Sequence, residues 1–337
     1  MKPIADLYPL LHQPKKLVIT THQKPDADAM GSSLALGHYL RKRGHHVTII
    51  SPTNWADFVN WMPGTAEVIN YEQQQQRANQ LLSEADMLFC LDFNIFYRTK
   101  SMTSSLASMT CTKVLIDHHQ EPDEASFDFG VSDTTKSSTS EMIYDFIVGA
   151  GDADLIDQDM ASCIYAGVVG DTGSFRFSST HAGVHTLVAD LKKRGLDHGR
   201  VHEGLYDNFL ENRLRFIGHV LLNRLEIFYE YNTALIAIPK SDLVQFNIRT
   251  GDTEGLVNYP HSIQGIRFTA IVIDRDEERK WSFRSKGAFD CNTFARRFFN
   301  GGGHFNAAGG ESDESLEANL KKFREEIAAF KNQLQSI

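Results

Sequence analysis

Histidine and aspartate residues follow several apolar segments of this sequence, and such side chains can bind metal ions. The stretch KVLIDHHQE, residues 113–121, passes from an apolar segment directly into Asp117, His118 and His119. Imidazole and carboxylate groups are common ligands of divalent ions. The same three residues also fit an ordinary polar loop after a strand. Their chemistry therefore depends on the partners that other segments supply.

The stretch VITTHQKPDADAMGSS supplies the first candidate partners. It ends an apolar run at His22 and places Asp26 and Asp28 before a helical segment. This spacing can bring three ligands to one side of a turn. In the alternative interpretation, Asp28 is a helix N-cap and Asp26 is an ordinary turn residue.

Two further aspartates complete the set: Asp92 in MLFCLDFN and Asp171, between two glycines, in AGVVGDTGSF. The candidate metal ligands are His22, Asp26, Asp28, Asp92, His118 and Asp171. Four carboxylates and two imidazoles suit Mn²⁺ better than Ca²⁺ or a thiolate-bound zinc. Four negative charges balance two divalent ions, so we expect two Mn²⁺, with Mg²⁺ or Co²⁺ as alternatives. Such a pair, about 3.5–4 Å apart, activates water and stabilises phosphoryl transfer.

The elements that must position these residues alternate between strands and helices. Apolar runs predict strands at 15–20, 46–50, 87–92 and 113–117, with a helix from about 28 to 43. This alternation predicts an α/β domain with a mainly parallel sheet flanked by helices. Ligands of such sheets bind at the carboxyl ends of the strands, where the candidate residues lie.

The second half of the chain has a different pattern. Residues 137–225 show helical spacing of apolar residues, and 210–228 is predicted as one connecting helix. Strand-like segments at 231–240 and 266–287 and a last helix from about 313 to 334 follow. We predict an N-terminal domain over 1–190, a helical linker over 191–228 and a smaller C-terminal mixed α/β domain over 229–337.

A glycine-rich stretch, FFNGGGHFNAAGGES at 298–312, is the candidate substrate-binding segment. Its glycines would let backbone N–H groups surround an anion, although a flexible turn is the alternative. Upstream, WSFRSKG alternates like a strand and places a guanidinium where it could bind a phosphate. The candidate substrate-binding residues are Arg284, Ser285, Gly301, Gly302, Gly303, His304 and Asn306.

Composition narrows the function classes. The chain has 337 residues, 42% hydrophobic and 23% charged, and a formal net charge of −9. A strongly acidic balance argues against binding of long duplex DNA by charge alone. We find neither a membrane segment nor a signal peptide in the pattern, and the four cysteines form no CxxC pair. We therefore expect a cytoplasmic protein with no membrane partner.

The ordered set of HxxxDxD, a strand-end Asp, DHH, GDTG and a distant GGGHxxAAGG resembles the DHH phosphoesterases that carry a DHHA1 domain. The resemblance implies that His22, Asp26 and Asp92 bind one Mn²⁺. It implies that Asp28, Asp92, His118 and Asp171 bind the other. Asp92 would bridge the two ions, with Asp117 and His119 beside them at the scissile phosphate, while Arg284 and His304 hold the substrate.

The compact pattern is most similar to the bifunctional oligoribonuclease (nanoRNase) group of this family. We therefore expect hydrolysis of short RNA oligonucleotides to mononucleotides and dephosphorylation of adenosine 3′,5′-bisphosphate. The alternatives are a phosphodiesterase for linear or cyclic adenine dinucleotides, an exopolyphosphatase, or a nucleotide-binding sensor without catalysis. A homodimer is compatible with the sequence, which does not determine the oligomeric state.

Overall fold

The protein is described by a computed structural model that covers residues 1–275 and 278–336. The chain divides into two compact units, Met1–Asn208 and Phe209–Ile337. Within the described residues no helix has both the length and the apolar character needed to cross a bilayer.

The first unit contains a seven-stranded parallel sheet. Its strands are β1 (Lys2–Pro3), β2 (Lys16–Thr20), β3 (His46–Ser51), β4 (Ile69–Asn70), β5 (Met87–Leu91), β6 (Thr112–Asp117) and β7 (Phe129–Ser132). The spatial order is β1-β7-β6-β5-β2-β3-β4, and neighbouring strands are parallel. All five residues of β5 are buried, as is typical of a parallel strand covered on both faces.

The strand order reverses between β2 and β5. From β2 the chain continues outward through β3 and β4, then returns to β5 on the other side of β2 and continues through β6 to β7. The loops that follow β2 and β5 therefore leave in opposite directions and open a crevice at the carboxyl ends of these strands. Ligands bind at such reversal points in open α/β sheets.

Helices surround this sheet, and three of them approach closely. The helices are α1 (Ala27–Lys42), α2 (Gln75–Ser83), α3 (Thr103–Ala107), α4 (Thr139–Gly149), α5 (Gln158–Asp171), α6 (Ala182–Lys193) and α7 (His198–Tyr206). A Cβ atom on Gly31 of α1 would lie 2.4 Å from the carbonyl oxygen of Cys163 in α5. A Cβ on Gly167 of α5 would lie 2.0 Å from Oγ of Ser140 in α4. Glycine at these two positions allows α1, α4 and α5 to meet next to the crevice.

The second unit contains a six-stranded mixed sheet. Its elements are α8 (Glu211–Asn223), β8 (Leu225–Phe228), β9 (Thr233–Ile238), α9 (Lys240–Gln245), α10 (Asn258–His261), β10 (Phe268–Asp274), β11 (Arg279–Ser285), α11 (Cys291–Phe298), β12 (Gly302–His304), β13 (Ala307–Ser312), α12 (Leu316–Ala328) and α13 (Lys331–Gln335). The order is β12-β13-β11-β10-β9-β8, with β9 and β10 parallel and the other neighbours antiparallel. Buried rings of Trp281, Phe268 and Phe323 lie in its core.

The α/β class, with a parallel-sheet domain followed by a mixed-sheet domain, is confirmed. The predicted single helix over 210–228 differs from the structure, because α8 ends at Asn223 and Leu225–Phe228 pairs with β9. The predicted last helix is divided into α12 and α13, and α12 begins after the N-cap Ser315. Residues of the predicted linker contribute α7 to the first unit and α8 and β8 to the second.

Candidate metal centre

The candidate ligands gather where three adjacent strands end. β2 leads into the loop that carries His22, β5 ends one residue before Asp92, and β6 ends just before His118. The fourth contributor is α5, whose last residue is Asp171. These positions lie at the crevice that the reversal of strand order creates.

His22, Asp26 and Asp92 form one group, in which one possible ligand atom from each residue lies within 4.8 Å of the others. Nε2 of His22 is 3.3 Å from Oδ2 of Asp92 and 4.0 Å from Oδ2 of Asp26. Nδ1 of His22 lies 2.8 Å from the carbonyl oxygen of Gln23, so this nitrogen donates a hydrogen bond. Nε2 is therefore the nitrogen that faces the two carboxylates and is available to a metal ion, as in histidines that bind metals.

Asp28, Asp92 and His118 form a second group of the same dimensions. Nε2 of His118 is 3.9 Å from Oδ2 of Asp28 and 3.4 Å from Oδ1 of Asp92. It is 3.2 Å from Oδ2 of Asp171. Asp92 belongs to both groups, so the six predicted ligands form one continuous cluster.

The start of α1 holds two of these carboxylates in different ways. Oδ1 of Asp26 accepts hydrogen bonds of 3.0 Å from the amides of Asp28 and Ala29. Asp26 is therefore the N-cap, and the alternative interpretation in which Asp28 caps the helix is wrong. Asp28 lies in the first turn and is fully buried.

Asp117 and His119 lie beside the cluster as a hydrogen-bonded pair. Oδ1 of Asp117 is 2.7 Å from Nδ1 of His119, and Oδ2 accepts a hydrogen bond of 3.1 Å from the His119 amide. Nδ1 of His119 is also 3.8 Å from Oδ1 of Asp92. Two contacts to one buried carboxylate fix the orientation of the His119 ring next to the cluster.

The pKa values of the cluster reflect crowding of buried charge. Burial, together with the charges of Asp92 and Asp171, raises the pKa of Asp28 well above its usual range. Burial also acts to raise the pKa of Asp92, but hydrogen bonds from His118 and His22 outweigh it and hold that pKa well below its usual range. Burial acts to lower the pKa of His118, but hydrogen bonds to Asp171 and Asp92 raise it well above the usual value. Without a metal ion, protons on the histidines and on Asp28 would therefore balance part of the negative charge of the cluster.

The donor set fits divalent metal ions. Asp28 and Asp92 are 0% and 2% exposed, and burying such carboxylates without a positive charge is costly. Metal ions bind only deprotonated ligands, so a divalent ion would replace the protons on Nε2 of His22 and of His118. The cluster of carboxylate oxygens and imidazole nitrogens is therefore a candidate site for divalent ions.

Residues at the start of α4 also touch the cluster, although the sequence analysis does not include them. The amides of Thr139 and Ser140 donate hydrogen bonds of 2.7 and 2.8 Å to the two carboxylate oxygens of Asp28. The only signal in the sequence is the pattern Ser138-x-x-Glu141, which is typical of a helix N-terminus. It predicts where the helix begins but not what the helix end faces.

In the second unit, the glycine-rich segment forms a tight hairpin. Gly302–His304 is the edge strand β12 and pairs with Ala307–Gly309 of β13. A Cβ on Gly301 would lie 2.0 Å from the carbonyl oxygen of Gly309, and Gly303 has a φ of 144°. Gly301 and Gly303 are thus needed for close strand packing, a role that the interpretation as an anion-binding loop does not include. Anion binding by residues 301–304 stays a prediction.

The remaining candidate substrate residues lie around this hairpin. Arg284 of β11 and His304 of β12 both pair with Ala307, so their side chains project from the same face of the sheet. Ser285 donates a hydrogen bond of 2.6 Å to the carbonyl of Phe289 and accepts one of 2.8 Å from Nδ2 of Asn306. Ser285 and Asn306 therefore connect loops within this unit, a role that the sequence does not reveal.

Comparisons with known proteins agree with this two-part organisation. Residues 16–168 match the family model described as DHH family, N-terminal domain, and residues 232–333 match the DHHA1 domain. The crystal structure of an exopolyphosphatase-related protein from Bacteroides fragilis is 36% identical, with a TM-score of 0.93 over 99% of this chain and 98% of that chain.

Two of the relatives are named as oligoribonucleases and PAP phosphatases. The bifunctional oligoribonuclease and PAP phosphatase NrnA of Bacillus subtilis is 28% identical over 87% of this chain and 88% of that protein. The probable bifunctional oligoribonuclease and PAP phosphatase NrnA of Streptococcus mutans is 27% identical over 88% of this chain and 89% of that protein. The chain therefore belongs to the DHH family of phosphoesterases and carries a DHHA1 domain in its second half.

Proposed function

We propose that this protein is a Mn²⁺-dependent phosphoesterase that hydrolyses short oligoribonucleotides to mononucleotides and removes a phosphate from adenosine 3′,5′-bisphosphate. The observation that carries the proposal is the continuous cluster of six candidate ligands around Asp92. The names of the Bacillus subtilis and Streptococcus mutans relatives supply the two substrate classes.

We assign two ions to the cluster, with Mn²⁺ as the working ion and Mg²⁺ or Co²⁺ as alternatives. His22, Asp26 and Asp92 would hold one ion, and the second would be held by the group Asp28, Asp92, His118 and Asp171. Bound ions would lower the pKa of a water molecule and stabilise the negative charge that develops on the phosphoryl oxygens. Because Asp92 contributes to both groups, it would be a ligand of both ions.

The protein's own residues would orient the phosphate. Asp117 accepts hydrogen bonds from the amide and from Nδ1 of His119, and so fixes the imidazole ring. We assign His119 to the scissile phosphate: with both ring nitrogens protonated, Nδ1 donates to Asp117 and Nε2 would donate to a phosphoryl oxygen, where an oriented N–H donor stabilises charge in the transition state. Because Asp117 already holds the His119 ring in place, no energy is spent on orienting this donor during the reaction.

We assign the rest of the substrate to the second unit. Arg284 and His304 project from one face of its sheet, where a guanidinium and an imidazole can donate to a phosphate. Gly301, Gly302 and Gly303, with Ser285 and Asn306, would shape the hairpin that presents these two side chains. If this surface of the second unit holds only a few nucleotides, short oligonucleotides would be preferred as substrates.

The test uses the full chain, stripped of metal with a chelator and reloaded with Mn²⁺. It is incubated with a 5′-labelled RNA ladder that extends from a dinucleotide to long oligonucleotides. Parallel reactions contain adenosine 3′,5′-bisphosphate, a linear adenine dinucleotide, a cyclic adenine dinucleotide and polyphosphate. The control is an Asp92→Asn preparation, which detects contaminating nucleases. Reactions with Mg²⁺ and Co²⁺ rank the ions.

We expect rapid loss of the shortest RNA species and phosphate release from the bisphosphate, with both lost in the control. Turnover of polyphosphate or of an adenine dinucleotide alone would keep the metal centre and overturn the substrate assignment. Nucleotide binding without any turnover in Mn²⁺ would instead indicate a sensor.

A further inference from the structure

The segment that precedes and begins α4 contacts three of the six candidate ligands. We define residues 136–141 as the α4 bracket. We propose that the α4 bracket positions the ligands of both ions, and that the hydroxyl of Thr139 orients Asp92. This inference rests on the proposed metal centre. It identifies residues that hold the candidate ligands in place by hydrogen bonds and do not themselves bind the metal.

The α4 bracket first fixes Asp28. The amide of Thr139 donates 2.7 Å to Oδ2 of Asp28, and the amide of Ser140 donates 2.8 Å to Oδ1. Both amides lie in the first turn of α4, where N–H groups have no partner within the helix. The positive end of the helix dipole also favours a carboxylate at this position. Each oxygen of Asp28 keeps a lone pair for a cation.

Thr139 also reaches the carboxylate that both groups share. Its hydroxyl donates a hydrogen bond of 3.0 Å to Oδ1 of Asp92, and Thr139 is 0% exposed. Asp92 has a φ of 64°, in the left-handed region that favours glycine. Such conformations persist where surrounding contacts hold them. One residue therefore connects Asp28, through its main chain, with Asp92, through its side chain.

The third contact is to His118, whose Nδ1 lies 3.4 Å from the carbonyl oxygen of Lys136. A carbonyl partner at Nδ1 leaves Nε2 as the nitrogen that faces Asp92 and Asp171. The α4 bracket thus contacts Asp28, Asp92 and His118.

Glu141 holds the α4 bracket in shape. Its carboxylate accepts hydrogen bonds of 2.8 Å from both the amide and the hydroxyl of Ser137, and one of 3.1 Å from Nζ of Lys136. The hydroxyl of Ser138 caps the helix by accepting a hydrogen bond of 3.0 Å from the Glu141 amide. Glu141 is 2% exposed, so its hydrogen bonds with Ser137 and Ser138 are shielded from water. The segment therefore has a defined conformation against the cluster.

Thr139→Val isolates the hydroxyl. Valine is also β-branched and keeps the amide that donates to Asp28, so only the hydrogen bond to Asp92 is removed. Partners that orient metal ligands typically change metal affinity by about 10–100-fold when they are mutated. We expect a loss of Mn²⁺ affinity in this range for Thr139→Val. Thr139→Ser keeps the hydroxyl, and its affinity should stay close to that of the unmodified protein.

The experiment is a calorimetric titration of the chelator-stripped full chain with Mn²⁺ alone, so the readout does not depend on turnover. The matched control is Thr233→Val, because Thr233 is also 0% exposed and its hydroxyl donates 2.9 Å to the carbonyl of Tyr231 in the second unit. Thermal unfolding in chelator establishes that each variant is folded. The expected result is weak binding by Thr139→Val only.

Three results would count against these assignments. If the unmodified protein binds Mn²⁺ and Thr139→Val binds it equally well, the positioning role is overturned and the proposed function stands. If Thr139→Ser binds as weakly as Thr139→Val, the hydroxyl is not the cause and the role is again overturned. If the unmodified protein binds no Mn²⁺, the proposed function fails and the positioning role with it.

Discussion

Asp92 is the carboxylate that both proposed ion positions share, and Asp92→Asn tests this assignment. Asparagine tolerates the left-handed backbone at φ 64°, so the variant should fold. It removes the charge and one ligand oxygen. We expect turnover to fall by about 10⁴-fold, as when one member of a catalytic unit is removed. Mn²⁺ should no longer raise the melting temperature.

Asp86 offers a control for Asp92, because the two aspartates flank opposite ends of β5. Asp86 precedes β5, and its Oδ2 accepts a hydrogen bond of 2.7 Å from the amide of Lys16 at an exposed position. Asp86→Asn should keep both turnover and stabilisation by Mn²⁺. Full turnover in Asp92→Asn would contradict the shared-ligand assignment.

We expect His261 to make the second unit sensitive to acid. Burial and the charges of Lys286 and Arg284 lower the pKa of His261 from 6.5 to about 4. Between these two values the unfolded chain binds a proton that the folded chain does not, so stability is lost as the pH falls through this window. His261→Asn should reduce this loss, because the variant has no group that titrates there.

Denaturant unfolding at several pH values across that window measures the effect. The control is His46→Asn, which replaces an exposed histidine of the first unit and leaves the second unit, where His261 lies, unaltered. Parallel stability profiles for the unmodified protein and His261→Asn would show that His261 does not contribute.

At the scale of elements, Gly167 allows α5 to approach both α4 and the cluster. A Cβ at this position would lie 2.0 Å from Oγ of Ser140 and 2.6 Å from Oδ1 of Asp28. Alanine favours helices by about 1 kcal/mol over glycine, but overpacking here should cost about 1–3 kcal/mol. We expect Gly167→Ala to destabilise the metal-free protein and to weaken Mn²⁺ binding, because Ser140 and Asp28 must move.

The control for Gly167 is a helical glycine with open space around it. A Cβ on Gly218 of α8 would have no heavy atom within 4 Å apart from its chain neighbours and the backbone of its own helix. Gly218→Ala should therefore stabilise the second unit by about 0.5–1 kcal/mol. Chemical unfolding and Mn²⁺ titration of both variants measure these effects. Unchanged Mn²⁺ affinity in Gly167→Ala would show that the close approach does not position Asp28.

The elements also show what the sequence can predict. Four strands of the first unit have continuous apolar runs, and each is predicted within one residue of its observed ends. Parallel strands bring their carboxyl ends to one edge, so residues after β2, β5 and β6 are expected to meet there. In contrast, β1 and β4 have only two residues each and show no pattern.

The contacts that the sequence does not predict depend on tertiary structure. Thr139 and Asp92 are distant in the chain, and nothing in the pattern around Thr139 indicates which helix end faces the cluster. Leu225–Phe228 continues a helical pattern but pairs with β9, because the edge of that sheet offers hydrogen bonds and burial that local propensity cannot register. Gly301 and Gly303 of the hairpin are explained by strand packing, which only the partner strand reveals.

At the scale of the whole molecule, the proposed chemistry and the proposed substrate recognition belong to different units. The candidate metal ligands lie between His22 and Asp171, within Met1–Asn208, whereas Arg284 and His304 lie within Phe209–Ile337. Each unit has its own sheet and its own buried core. Substitution of Arg284 should therefore weaken substrate binding without changing Mn²⁺ binding.

Arg284→Ala tests this separation. A charge-assisted hydrogen bond to a phosphate contributes about 1.5–3 kcal/mol, so we expect kcat/KM for a dinucleotide to fall by about 10–100-fold. Mn²⁺ affinity and melting temperature should stay unchanged, because Arg284 lies outside the cluster. The matched control is Arg324→Ala, which removes an exposed guanidinium bound at 2.8 Å to Glu226 in the same unit and should leave the kinetics unchanged. If Arg284 binds the substrate equally well before and during the reaction, its removal should raise KM and leave kcat constant, which would support a role in recognition.

A loss of Mn²⁺ affinity in Arg284→Ala would instead show that metal binding and substrate recognition are not confined to separate units.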